Sequence, residues 1–250
     1  MKTFSTLFRR SLLLAALPAA LSFASCGDDD NPATPAQGRV LISHAAASAN
    51  VQVTAFVNDQ QVGQLNYGQS SNYLNVNAGS PKFRINNGSQ VVTEQALTID
   101  GNQSYTVFAY SPTNGVGSAG LLPIQDDLTA PAAGQAKVRV VHLGVDAPSP
   151  VRLTLPSPLP GAAGTDVTPD VAFGAASSFV ALNAGVALNL TITANGTPRT
   201  QVLVVGDGSG SGTGTKTFEA GKIYTVVVRG IAGAAVPTAQ RAQAVIIQNN

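Results

Sequence analysis

The 250-residue chain contains one cysteine, one methionine, two histidines and no tryptophan. A single cysteine excludes an internal disulfide framework and a cysteine-built zinc cluster. Two histidines leave little material for histidine-based catalysis or a His-rich metal site. Charged residues make up only 11% of the chain and the formal net charge is +1, so the basic stripe that nucleic-acid binding needs is missing. The apolar stretches fall short of the roughly 20 residues that span a bilayer as a helix. What is plentiful is small and apolar: 44% hydrophobic residues, Gly 25 and Pro 15. That apolar share suits a folded chain, and the length allows one or two domains of roughly 100–200 residues.

The first 25 residues read as an address. Lys2, Arg9 and Arg10 precede an apolar run over 12–24 that Pro18 interrupts, the form of a secretory signal peptide. The run ends Phe23-Ala24-Ser25-Cys26, which resembles a bacterial lipobox. Phe23 departs from the leucine usual at that step. The resemblance implies a diacylated Cys26 as mature N-terminus and a membrane anchor, since each buried methylene contributes about 0.8 kcal/mol. Asp28, Asp29 and Asp30 follow. An acidic run at this place resembles the surface-export signal of lipoproteins in one large group of Gram-negative bacteria. The expected location is the outer membrane, displayed at the cell surface, with the periplasmic face as the alternative. Residues 26–37, ending in a Pro/Ala-rich stretch, read as a tether. Loss of the signal leaves 11 basic and 13 acidic residues, a net −2, and no strong electrostatic partner follows from it.

The rest is an internal repeat. Val40-Leu41-Ile42-Ser43-His44 matches Val138-Arg139-Val140-Val141-His142. The block from Tyr67-Gly68 to Ser71-Asn72-Tyr73 matches Phe173-Gly174 to Ser177-Ser178-Phe179. Tyr105-Thr106-Val107 matches Tyr224-Thr225-Val226, and Leu122-Pro123-Ile124-Gln125 matches Val245-Ile246-Ile247-Gln248. In both copies short runs of Val, Ile, Thr and aromatics alternate with polar residues between Gly, Pro and Asn breaks, the pattern of strands. Asn87-Gly88 and Asn195-Gly196 predict hairpins, the first with a type I′ turn. Each Tyr-Thr-Val tyrosine follows a turn and looks like the tyrosine corner of immunoglobulin-like sandwiches, its hydroxyl bonding back to upstream backbone.

The expectation is therefore an all-β chain of two tandem Ig-like antiparallel β-sandwich domains, at 38–128 and 136–250. The linker 129–135 is short and proline-stiffened, which predicts two beads in a row. Prolines 148, 150, 156, 158 and 160 crowd the second copy's second strand, which predicts an edge strand or a short one.

The block Val138 to His142, followed by Asp146-Ala147-Pro148, resembles the opening of the domain-of-unknown-function 4397 family. So do Phe173-Gly174 with Ser177, and Tyr224-Thr225-Val226. The resemblance covers both copies, nearly all of 38–250, although Ser48-Ala49-Asn50 replaces the Asp-Ala-Pro step in the first. It implies extracytoplasmic bacterial β-domains, often paired, in secreted or lipid-anchored proteins. It brings no catalytic residues and no ligand.

Candidate chemistry is thin. His44 and His142 occupy one repeat position and are expected to bond turn backbone. His142 with Asp146 supplies two metal ligands where three or more are needed. Gly208-Ser209-Gly210-Ser211-Gly212 has the letters of a nucleophile elbow but belongs to a Gly/Ser loop, 206–215. Asp126 with Asp127 and Asp166 with Asp170 are the available carboxylate pairs. Aromatics mostly fall at repeat-matched core positions, and Tyr110 is the one expected to be exposed. The sequence thus predicts no enzyme, no cofactor, no metal and no nucleic-acid partner. It predicts a surface interaction or adhesion module held to the membrane by its N-terminal lipid, with an unknown protein or glycan partner. The loops 206–215 and 156–170 are the expected contact regions. A glycan-binding accessory lipoprotein of a polysaccharide-uptake system, using Tyr110, is the alternative.

Overall fold

A computed structural model describes residues 35–159, 162–196, 199–210 and 212–250. They build nineteen strands and two single-turn 3₁₀ segments, so the chain is all-β. The first eight strands are β1 (Gln37–Ala45), β2 (Val53–Val57), β3 (Gln60–Leu65), β4 (Leu74–Asn77), β5 (Lys82–Asn87), β6 (Gln90–Ala96), β7 (Ser104–Tyr110) and β8 (Gly120–Gln125). They form two sheets, β4-β1-β7-β8 and β3-β2-β5-β6. Alternate residues of both sheets, among them Val40, Ile42, Val53, Ala55, Phe83, Ile85, Tyr105 and Val107, meet in one core.

The second half repeats this plan. Its strands are β9 (Gln135–His142), β10 (Val151–Leu155), β11 (Thr165–Asp166), β12 (Ala175–Ala176), β13 (Val180–Asn183), β14 (Ala187–Leu188), β15 (Thr191–Ala194), β16 (Thr200–Val204), β17 (Lys216–Thr217), β18 (Ile223–Arg229) and β19 (Gln243–Gln248). The order β12-β9-β18-β19, with β13 also on β9, mirrors β4-β1-β7-β8. The order β11-β10-β15-β16 mirrors β3-β2-β5-β6. Only the small β14-β17 ribbon is extra. A second core forms from Val138, Val140, Leu153, Ile192, Phe218, Tyr224 and Val226.

Several expectations need correction. One sheet in each half is mixed rather than antiparallel: β1 pairs with β7, and β9 with β18, in parallel, while β3-β2-β5-β6 and β11-β10-β15-β16 are antiparallel throughout. Parallel neighbours need a long crossover connection, which the whole intervening run of strands supplies. The strand order also differs from the immunoglobulin constant arrangement, which places its first, second, fifth and fourth strands in one sheet. Here the first strand shares its sheet with the fourth, seventh and eighth.

The turns differ in detail. Asn87 pairs with Gln90, so the loop residues are Gly88 and Ser89. Gly88 has φ +57° while Ser89 has no positive φ, the type II′ pattern with glycine first. The two-residue loop with both φ values positive lies elsewhere, at Asn58 (φ +48°) and Asp59 (φ +64°) between β2 and β3. In the second half Ala194 pairs with Thr200, leaving a five-residue loop around Asn195-Gly196. β10 is short, as its prolines demand, but it is internal, lying between β11 and β15.

The two halves are not beads in a row. Residues Pro35–Asn250 form one compact unit. The outer faces of the two parallel-containing sheets pack on each other through Ala45, Phe108, Val141, Leu143, Val227 and Val245, with Tyr110, Leu122, Ile124 and Ile247 at the margin. β18 is buried along its entire length. Strands covered on both faces read as near-continuous apolar runs, as Tyr224 to Val228 does. The starts of β7 and β18 meet through Asp126, Arg139 and Thr225, and the end of β7 lies near the end of β9, where Tyr110 packs on Phe173 and the next residue, Gly174, bonds the His142 carbonyl. β1, β7, β9 and β18 therefore point the same way. Chain entry and the inter-half linker lie at one end; the loops after these four strands gather at the other.

Candidate functional site

The repeat-matched motifs prove to be structural devices. Gly68 (φ +90°) and Gly174 (φ +75°) adopt the left-handed backbone that lets their N–H groups reach the carbonyls of His44 and His142, both at 2.8 Å. Ser71 Oγ accepts the N–H of Ile42 at 2.9 Å, and Ser177 Oγ that of Val140 at 3.0 Å. Each serine hydroxyl thus substitutes for a missing strand partner. Tyr105 Oη accepts the Asp100 N–H and donates to its carboxylate; Tyr224 Oη accepts the Glu219 N–H. The tyrosine hydroxyls do bond to upstream backbone.

The histidines behave alike. His44 Nδ1 accepts the N–H of Ala46, and its Nε2 lies 3.0 Å from the carbonyl of Val51. His142 accepts from Gly144, and its Nε2 lies 3.2 Å from the carbonyl of Pro148. An Nδ1 that accepts leaves the proton on Nε2, so both rings are neutral donors to a turn carbonyl. Desolvation lowers the pKa of each. The rings stand edge-on to Tyr67 and Phe173. His142 is thereby committed to the turn, whereas Asp146 is exposed. Among the described residues no group of three or more His, Cys, Asp or Glu stands together as a metal cage.

The carboxylate pairs are also spoken for. Asp126 is buried and ion-paired with Arg139, whereas Asp127 is exposed and held by Lys137 and Thr129. The Lys137 hydrogen bond leads the causes that bring Asp127 down to about 2. Asp166 and Asp170 flank Arg152, and Arg199 also meets Asp166. These two acids neutralise arginine rather than face each other across a cleft. Tyr110, expected to be exposed, is half-buried against Phe173 at the junction of the halves. The loop 206–215 is a run of positive-φ glycines at 208, 210, 212 and 214. Cys26, Asp28, Asp29 and Asp30 lie outside the described residues.

A polar ring inside the junction is the feature that sequence reasoning missed. Arg139 donates to Asp126, to the Gln125 carbonyl and to Thr225. Thr225 donates to Asn249, Asn249 to Tyr73, and Tyr73 to Asp126. Thr106 closes the set on Asp126 at 2.7 Å. Six side chains from both halves are joined, and the Arg139 guanidinium also covers the Phe179 ring at 4.5 Å. Burial and the Asp126 carboxylate push the Tyr73 hydroxyl well above its usual range. The only available signals were a lone arginine in an apolar strand and an acid just past the end of β8.

The loop end of the junction carries the clefts. Asn114 of the β7–β8 loop donates to Asp146 of the β9–β10 loop at 2.7 Å, tying the halves. Gln240 donates to the Ala47 carbonyl at 2.9 Å, a second tie. An open cleft of about 490 Å³ lies between Asn114, Asp146 and the 231–237 loop. A neighbouring one of about 430 Å³ lies between 48–51, Val116, Pro237 and Gln240. Val116 at this rim is 99% exposed. Ala47, Val145, Ile231, Tyr67, Phe173 and Val236 pack beneath. Each of these two clefts is lined by residues of both halves.

No curated protein matches the chain. The match to a sequence family stops just short of half of its length and runs from the start of β1, through the linker and β9, to the loop before β10. Residues 38–150 match the model of the family described as Domain of unknown function (DUF4397).

Proposed function

We propose that this chain is a lipid-anchored, non-enzymatic interaction or adhesion module of the bacterial envelope, displayed at the cell surface. Cys26 carries the lipid, Asp28, Asp29 and Asp30 direct export, and residues 26–37 are the tether. The folded body is two copies of one domain, 38–128 and 136–250, joined by 129–135. The finer description of each copy as an Ig-like sandwich rests on the shared two-sheet core and the bonded tyrosines.

One observation supports this reading above the others. The chain enters at the start of β1, and the junction clefts lie beyond its other end. Nine residues of strand at about 3.3 Å each separate the two by about 30 Å. A body tethered at Pro35 presents those clefts outward. The residues that could do chemistry are already engaged. Both histidines hold turns, Asp126 is paired in the junction, and Asp166 and Asp170 hold Arg152. Loops on a rigid scaffold are where partners usually bind.

Protease shaving of intact cells tests the reading. Wild-type protein is digested, whereas the variant with Asp28, Asp29 and Asp30 changed to Ala is protected. Protection of both overturns surface display and moves the search for partners to the periplasm.

A further inference from the structure

The junction contains two buried arginines, and they differ in one respect. Each guanidinium lies over an aromatic ring, Arg139 over Phe179 at 4.5 Å and Arg229 over Tyr67 at 4.8 Å. Arg139 spends its donors on Asp126, Gln125 and Thr225. Arg229, 7% exposed, makes no hydrogen bond or ion pair with any described residue. Its Nε is sealed from solvent without a partner, and so is the hydroxyl of Tyr67.

Such a pair is costly. A buried charge without a counter-ion loses its hydration and gains nothing equivalent. A cation–π contact offsets only part of that. A sealed hydroxyl adds a further desolvation penalty. No acid compensates: the charge-bearing groups acting on this corner are Tyr67 and the neutral His44. Gly68 leaves the room, because a β-carbon there would collide with the guanidinium.

The repeat sharpens the contrast. Arg229 ends β18 where Tyr110 ends β7, and Tyr67 stands where Phe173 stands. At the Phe173 corner, Tyr110 packs on Phe173 with no cation. At the Tyr67 corner the same scaffold carries five N–H donors and a hydroxyl, all of one polarity need. A guanidinium fork beside a hydroxyl matches the oxygens of a planar or tetrahedral anion.

We infer that Arg229 and Tyr67 form a binding site for an oxyanion group, a carboxylate or a phosphate, carried by a small ligand. Val236 packs in the Tyr67 cluster and also walls the 490 Å³ cleft, so the remainder of a ligand has space beside it. The site does not depend on surface display and stands or falls separately from it.

The test uses the purified full-length protein and two probes, sodium acetate and inorganic phosphate, each titrated at constant ionic strength against chloride. The readouts are the Arg229 Nε–H resonance and the thermal midpoint. Saturable movement of both with acetate identifies a carboxylate site, and with phosphate alone a phosphate site. Tyr67→Phe keeps the ring and loses one hydrogen bond, which weakens binding about fivefold. Arg229→Lys keeps the charge and loses the fork, which weakens it about tenfold. Arg229→Gln abolishes the midpoint shift. Should that variant fail to fold, Tyr67→Phe and Arg229→Lys carry the test alone. The inference is overturned if neither anion gives a saturable response, or if Tyr67→Phe and Arg229→Lys both bind as wild type does.

Discussion

At the scale of single residues, burial rather than motif decides what each polar group does. His44 and His142 look like chemistry in the sequence, yet both serve as neutral hinges of a turn. Their pKa values lie below 6.5 in the folded state because burial disfavours the cation. The unfolded chain therefore binds protons more readily than the folded one below about pH 6.5. The stability these groups contribute is whole above that pH and is lost as pH falls toward their folded values. Each histidine contributes a slope of at most about 1.4 kcal/mol per pH unit in that window. Asp59, Asp127 and Asp207, whose pKa values are lowered by hydrogen bonds to their charged forms, act below the ordinary value of 3.8 and leave the window clean. Urea midpoints measured from about pH 7.5 to about pH 5.5 should fall steadily. The double variant His44→Gln, His142→Gln should flatten that slope. An unchanged slope would show that the histidines are not what acid acts upon.

At the scale of elements, the sequence was legible wherever one strand face was buried and the other wet. Strands, hairpins and both tyrosine contacts follow from alternation and turn residues, and the structure has them. Turn type was less legible. Asn87-Gly88 carries the dipeptide usual for a type I′ turn, but Asn87 pairs with Gln90, which places the loop one residue on, at Gly88-Ser89. Asn58-Asp59 forms the turn with both φ positive instead, because asparagine and aspartate tolerate the left-handed region better than most residues. Asp59 still has a steric cost there of roughly 1 kcal/mol. Its ion pairs with Lys82 and Arg84 are exposed, and such pairs contribute about 0–1 kcal/mol. Relief of backbone strain should win narrowly. Asp59→Gly is expected to raise stability by about 0.5 kcal/mol in urea unfolding. A loss of more than about 1 kcal/mol would mean that the charge cluster holds this hairpin more firmly than exposed pairs usually do.

At the scale of the whole molecule, the decisive feature lay on the strand faces opposite the cores. Phe108, Tyr110, Val141, Val227 and Val245 fall there, and period-two reading assigns that face to water. The clue was the lack of polar alternation in β18, where Thr225 is the one polar residue from Ile223 to Val228, whereas β9 carries Gln135, Lys137 and Arg139 on that face and hid it. The ring around Arg139 was illegible, because its members come from six separate positions whose spacing follows no motif. Two beads on a linker would unfold in two steps. Halves sharing an apolar interface and a buried ion pair should unfold in one, since separating them exposes the apolar faces around Phe108, Val141 and Val227 to water and gives up the Arg139–Asp126 contact. Phe108→Asp separates these possibilities. Phe108 is fully buried between the sheets but belongs to neither half's own core. A carboxylate there has no partner while the halves are docked, and becomes hydrated once they part. The variant should convert a single calorimetric transition into two, each half keeping its own two-sheet core. A single transition at a lower midpoint would show instead that neither half holds its fold without the other, and that the junction is the third core of one obligate domain.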